Sequence, residues 1–128
     1  MFRTTLLAAA LVIASAGATT APAIAQPATL NAVLHFSGNR CPDDSLCLYK
    51  DGNFTGGGVG LQRGNELPAL NNVRMNDMLS SWSNDSGVTC YWYEHENFKG
   101  ASHDMKNGYR VNLPDNENDT ASSVRCDR

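Results

Sequence analysis

The sequence predicts an all-β sandwich made of two Greek-key units and closed by two disulfides. Three observations carry that expectation. First, two patterns recur in the same order. Tyr49-x-x-x-x-Phe54-x-Gly56 returns 44 positions later as Tyr93-x-x-x-x-Phe98-x-Gly100, and Asn76-Asp77-Met78-Leu79-Ser80-Ser81 returns 42 positions later as Asn118-Asp119-Thr120-Ala121-Ser122-Ser123. Second, short runs of aromatic and β-preferring residues lead into polar turns containing Gly or Asn. Third, no amphipathic helical stretch longer than a turn or two is present.

Taken in chain order, Leu46 to Tyr49 and Thr89 to Tyr93 read as the first strands of the two units, each entering a hairpin that ends at the Phe-x-Gly. The glycines at 56, 57, 58, 60 and 64 exclude a stable helix and suit a bend, a bulge or a twisted edge. Leu67 to Met78 has scattered apolar positions broken by Pro68, Asn71 and Asn72, which leaves room for one short helical turn. Val111 to Leu113 alternates around Asn112 and reads as a later strand of the second unit. Two four-stranded Greek keys that exchange a strand and pack face to face would use the available length. The expected boundaries are an N-terminal segment over 26–40 and one domain over 41–128, with Greek keys at about 46–84 and 89–128.

The first 25 residues read as an export signal. Arg3 gives a short positive start, Leu6 to Ala16 is almost wholly apolar, and Ala23-Ile24-Ala25 has the small-x-small form expected before a cleavage site. The apolar run falls short of the roughly 20 residues a membrane-spanning helix needs. Cleavage after Ala25 would change the net charge from −3 to −4 by removing Arg3. The expected product is a secreted, mildly acidic, monomeric domain with no membrane attachment, and its acidic balance argues against a nucleic-acid partner.

All four cysteines, Cys41, Cys47, Cys90 and Cys126, lie in the exported part, so an oxidising compartment and an even count agree on two disulfides. Four cysteines permit three pairings, and sequence does not select among them. The pairing Cys41–Cys47 with Cys90–Cys126 is favoured here because it closes a small loop containing Pro42 and ties the start of the second half to its last strand. Zinc is the competing reading. It lacks support, because no Cys-x-x-Cys pair exists and His35, His95 and His103 are scattered.

The hairpin motif followed by the Asn-Asp-x-x-Ser-Ser segment, present in both halves over about Cys47 to Val124, resembles the βγ-crystallin Greek-key motif. The resemblance implies a calcium loop in each half. Asn76 and Asp77 would open one loop, with the backbone carbonyl of Met78 and the hydroxyl of Ser80. Asn118, Asp119, Thr120 and Ser122 would repeat those roles. A carbonyl from the partner unit's hairpin would complete each site, at Lys50 or Glu94. Such oxygen-rich, carboxylate-poor loops suit calcium, with dissociation constants of roughly 10⁻⁵ to 10⁻³ M. A second resemblance lies in Cys41-Pro42-Asp43-Asp44-Ser45-Leu46-Cys47-Leu48-Tyr49, which is similar to the opening of secreted bacterial metalloproteinase inhibitors with a crystallin-like fold. Those inhibitors are expected to have a second short cysteine loop. Cys90 and Cys126 lie far apart, so their reactive bond does not carry over to any residue here.

No hydrolytic or nucleotide motif is present, and no enzymatic activity is expected. Glu94-His95-Glu96 reads as a solvated hairpin tip, and Tyr91-Trp92-Tyr93 as strand and core packing. The sequons at Asn53, Asn84 and Asn118 read as accidental. The functional expectation is a secreted calcium-binding protein that acts as a peptidase inhibitor. A purely structural or stress-protective calcium module, or a toxin-like antimicrobial effector, are the alternatives.

Overall fold

A computed structural model describes residues 33–128 of the chain. The expected export signal, the expected cleavage after Ala25 and the start of the 26–40 segment lie outside the described residues. Nine strands form two antiparallel sheets: β1 Val33–Phe36, β2 Leu46–Asp51, β3 Thr55–Leu61, β4 Glu66–Leu67, β5 Ser81–Asn84, β6 Cys90–His95, β7 Lys99–Met105, β8 Arg110–Asn112 and β9 Ser123–Cys126. One sheet has the order β1-β3-β2-β5-β8 and the other β4-β9-β6-β7. Each unit lends a strand to its partner's sheet. Val111 of the second unit lies opposite Trp82 of the first, and Leu67 of the first lies opposite Val124 of the second.

The pleat explains why these residues form these strands. Alternate side chains of a strand face one side, so Leu46 and Leu48 of β2 and Val59 and Leu61 of β3 point inward together. Trp82 joins them from β5, and Cys90, Trp92, Met105 and Val124 come from the opposing sheet. Leu70, Met75, Leu79 and Ala121 close the core from the crossovers. Each of the larger side chains stabilises the sandwich by roughly 1.5–3 kcal/mol through burial alone.

Both disulfides take the favoured pairing, Cys41–Cys47 and Cys90–Cys126. Cys90 and Cys126 face each other directly in the β6–β9 ladder. The crossover holds a 3₁₀ turn over Leu70–Val73, and the later strand sits one residue earlier than expected, at Arg110–Asn112. One expectation needs revision. β1 joins the sheet N-terminal to the expected domain start at 41, pairing with β3. Of the bend, bulge or twisted edge that the glycine cluster suits, the edge is excluded because β3 runs between β1 and β2, whereas the β2–β3 register does shift between Tyr49 and Asp51. The glycines of β3 serve close backbone approach. A Cβ on Gly58 would fall on the carbonyl oxygen of Leu48. Among the described residues no helix is long and apolar enough to cross a membrane.

Candidate functional sites

The duplicated patterns meet around an approximate two-fold relation. Tyr49 and Phe54 pack edge to face with ring centroids 5.9 Å apart, as do Tyr93 and Phe98 at 5.6 Å. The second serine of each Ser-Ser pair locks the hairpin of its own unit. Ser81 Oγ donates to the Asp51 carbonyl at 2.7 Å and accepts from the Phe54 N–H at 3.0 Å. Ser123 Oγ does the same with His95, at 2.6 Å, and Phe98, at 3.0 Å. Phe98 lies just before Lys99 and Gly100, and a Cβ at Gly100 would come within 2.6 Å of the His95 ring.

The two Asn-Asp segments bind each other. The Asp77 N–H donates to the Ala121 carbonyl at 3.0 Å, and the Asp119 N–H donates to the Leu79 carbonyl at 3.0 Å. Both aspartates take left-handed backbone angles, φ 52° and 59°, which turn each loop toward its partner. The Ser80 N–H donates to the Tyr49 carbonyl at 3.0 Å and the Ser122 N–H to the Tyr93 carbonyl at 2.8 Å. Lys50 and Glu94 each follow the tyrosine whose carbonyl the serine of their own unit engages.

The hydroxyl of Ser80 reaches Asp119 Oδ1 of the other unit at 3.4 Å. Ser80 thus meets the aspartate of the opposite segment, a grouping that the linear motif does not reveal. Asp77, Asp119 and Met78 are exposed, Asn76, Asn118, Thr120, Lys50, Glu94 and Ser80 half-buried, and Ser122 buried. The Thr120 hydroxyl is engaged by the Glu117 carbonyl at 2.7 Å. Among the described residues no group of three or more His, Cys, Asp or Glu side chains is arranged to hold a metal ion by itself. The donors gathered here are mixed: one carboxylate with hydroxyl and backbone oxygens.

Glu94-His95-Glu96 does not converge either. His95 and Glu96 are exposed, whereas Glu94 faces His103 at 3.5 Å. His103 stacks on Trp92 with a 3.7 Å centroid separation and meets Glu117 at 3.3 Å on its other nitrogen. Trp92 and Tyr93 are buried, so the aromatic run is packing, as expected. Tyr91 donates to Asp127 at 3.1 Å, a bond that holds its phenol above the usual range, and Arg125 lies over its ring.

A second arrangement was invisible in the sequence. Asn84, read there only as part of a sequon, is fully buried and has no room for a glycan. Its amide donates to the carbonyls of Val88 at 2.8 Å and Met105 at 2.7 Å, and its oxygen accepts from the Ser86 N–H at 3.0 Å and hydroxyl at 2.7 Å. Its backbone accepts from Gly108 and donates to the Tyr109 carbonyl. The next residue, Asp85, donates to the Ser45 carbonyl inside the Cys41–Cys47 loop, and Gly87 donates to the Asn107 side chain at 2.8 Å. Three loops, 41–47, 85–89 and 106–109, are thereby braced together at one end of the sandwich. Tyr109 projects from that end, 58% exposed. Beside it lies a hollow of about 750 Å³ bounded by Asp43, Asp44, Asp85 and Arg110.

Comparison with known proteins places this geometry. Among solved structures, the chain is similar to a βγ-crystallin domain from Flavobacterium johnsoniae, with 34% identity over 62% of this chain and 90% of that one, TM-score 0.54. It is also similar to one from Clostridium beijerinckii, at 30% identity over 63% and 94%, TM-score 0.56. A βγ-crystallin from Ciona intestinalis matches at 28% identity over 64% and 98%, TM-score 0.57. No curated protein sequence matches. The family model described as peptidase inhibitor family I36 matches residues 35–105, from β1 through the end of β7 and with the first cysteine loop inside it. That span is more than half of the chain, and the protein belongs to peptidase inhibitor family I36, built on a βγ-crystallin sandwich.

Proposed function

We propose that this chain is a secreted inhibitor of an extracellular metallopeptidase, held rigid by its disulfides and by two calcium ions. The observation that carries the reading is the Asn84 network, which joins three loops into one preformed face on a member of an inhibitor family. A loop already fixed in shape loses little entropy on binding, and each immobilised side chain otherwise costs about 0.5–1.5 kcal/mol. Tyr109 is the exposed aromatic such a face would insert into a partner. The direct test titrates a thermolysin-like enzyme with the protein lacking residues 1–25. Stoichiometric loss of activity, weakened by Tyr109→Ala, is expected. Full activity at molar excess over a panel of secreted metallopeptidases would overturn the reading.

The calcium part is supported by the oxygen atoms that the crossed segments collect. One ion would take Asp119, the Thr120 carbonyl, Ser80 and the Lys50 carbonyl. The other would take Asp77, the Met78 carbonyl, Ser122 and the Glu94 carbonyl. Asn76 and Asn118 would open the two loops. Calcium accepts six to eight oxygens and tolerates carbonyls and water, which suits this donor set. Because each ion would bridge both units, it would stabilise the whole sandwich. A hundredfold excess over the dissociation constant contributes about 2.7 kcal/mol per site. Isothermal titration without heat, together with a melting temperature indifferent to chelator, would remove calcium from the account while leaving inhibition standing. Export is supported by the leader and the two disulfides, and N-terminal sequencing of protein from the medium should begin at Gln26.

A further inference from the structure

The corner of the sandwich beyond β1 and β2 carries side chains that neither inhibition nor calcium uses, although the backbone carbonyl of one of them, Lys50, belongs to a proposed calcium site. His35, Lys50 and Arg74, with Asn72 and Val73, line one hollow of about 460 Å³. His35 comes from β1, Lys50 follows Tyr49 where the β2–β3 register shifts, and Arg74 caps the 3₁₀ turn. No acidic residue lines the hollow. Among the described residues neither Lys50 nor Arg74 is ion-paired, His35 has no carboxylate partner, and residues 1–32 contain no Asp or Glu to pair with them. Positive charge is thus gathered at one place on a chain of net charge −3.

The fold does not require it. The hairpin aromatic and the locking serine are the same in both units, as with Tyr49 and Tyr93 or Ser81 and Ser123. At the matching offsets of 44 and 42, however, Lys50 becomes Glu94 and Arg74 becomes Asn116. His35 lies on β1, the strand that makes the first sheet five-stranded where the second has four. Arg74 is moreover held at φ 60°, ψ 37°, a left-handed conformation that costs a side-chain-bearing residue roughly 1–2 kcal/mol. Glycine would be the cheaper residue at this helix end.

We propose that this hollow binds a tetrahedral oxyanion, a sulfate or phosphate group that is free or carried as an ester on an acidic polymer. Arg74 offers a planar fork for two oxygens, Lys50 a mobile point charge, and His35 and Asn72 further N–H donors. The hollow is wider than one such group, which leaves space for the unit that bears it.

The test is an amide-shift NMR titration of the protein lacking residues 1–25, in chelator so that no bound cation draws the anion. Sodium sulfate and a sulfated tetrasaccharide are the probes, with sodium chloride at matched ionic strength as control. Shifts confined to residues 34–36, 49–51 and 72–75 are expected, with a dissociation constant on the order of 1 mM for sulfate. Tighter binding of the saccharide assigns an ester, and equal binding assigns the free ion. Arg74→Gly should weaken binding roughly tenfold or more, since hydrogen bonds to charged groups are worth about 1.5–3 kcal/mol. The same change should leave melting unchanged or raised, because the backbone angle suits glycine. Lys50→Gln should act in the same direction. Shifts that merely follow the chloride control, or affinity unmoved by both substitutions, would overturn the proposal.

Discussion

Replacing Asn84 should loosen one end of the molecule and little else. In Asn84→Ala the Ser86 hydroxyl still reaches the Val88 carbonyl at 3.2 Å, so that pair remains partnered. The Met105 carbonyl and the Ser86 N–H are left buried without their partners. Each such orphan costs about 1–3 kcal/mol, and the vacated volume adds to it, for a total of about 3–5 kcal/mol. On a domain of this size that lowers the melting temperature by roughly 15–30 °C. Asn84→Asp separates polarity from shape. It keeps the acceptor facing Ser86 but turns an oxygen toward the carbonyls of Val88 and Met105. Burial and these carbonyls disfavour the charged form, so the folded-state pKa lies above the unfolded value of about 3.9. The folded state then binds more protons than the unfolded one, and stability falls as pH rises from about 4 toward the folded pKa. Urea unfolding at pH 4.5, 5.5 and 7 should therefore show the gap to the parent protein widening with pH. A loss below about 1 kcal/mol in Asn84→Ala, or a pH-independent gap in Asn84→Asp, would refute the assignment of the brace.

Ser81→Ala and Ser123→Ala each strand one hairpin N–H and one carbonyl, and each should cost about 1–3 kcal/mol in chemical denaturation. Removing Cys90–Cys126, which closes a separation of 36 residues, should cost about 4 kcal/mol. Removing Cys41–Cys47, which closes 6, should cost about 2 kcal/mol, with a larger effect on inhibition than on melting. Gly58→Ala, which drives a methyl group into the Leu48 carbonyl, should prevent recovery of folded protein. Asp119→Ala should remove the site that would include Ser80 and leave the one at Asp77, cutting the calcium-dependent rise in melting temperature roughly in half, read by calorimetry with and without chelator.

The sandwich was legible because its constraints are local and were written twice. A strand, a turn and a Ser-Ser pair at fixed spacing appear in each half, and two copies in register distinguish a motif from an ordinary Asx turn. The cysteine pairing was one of three that the sequence left open, and the favoured one, a small loop and a tie between the first and last strands of the second half, is the one formed. What escaped depended on proximity between distant segments. The glycines of β3 suited a bend, a bulge or an edge alike, and only the pairing shows that they admit the backbone of β2 on one side and of β1 on the other. Ser80 and Asp119 are 39 positions apart, and only the crossing of the two loops joins them. Asn84 looked like a glycosylation sequon because the three-residue pattern says nothing about burial.

The repeat also separates what the fold demands from what this chain adds. In β2 and β5, Leu46 stands opposite Asn84; 44 and 42 residues later, Cys90 stands opposite Cys126. The two pairs occupy the same place in the architecture and do the same mechanical work by different chemistry, one through a buried amide network and the other through a covalent bond. The Ser86 hydroxyl lies 3.6 Å from the Cys90 sulfur, so the two devices touch. Each anchors a loop of the same end: Asn84 fixes 106–109, and Cys126 is followed by Asp127, whose N–H donates to the Thr89 carbonyl at the foot of 85–89. Such stiffening would serve a binding face, because rigidity fixed before contact is entropy that need not be lost during it. Amide exchange offers the discriminating measurement. If the face is preorganised, the amides of Ser86, Gly87 and Gly108 should be protected as strongly as those of β6, and Cys126→Ser should release Gly87 before Gly108.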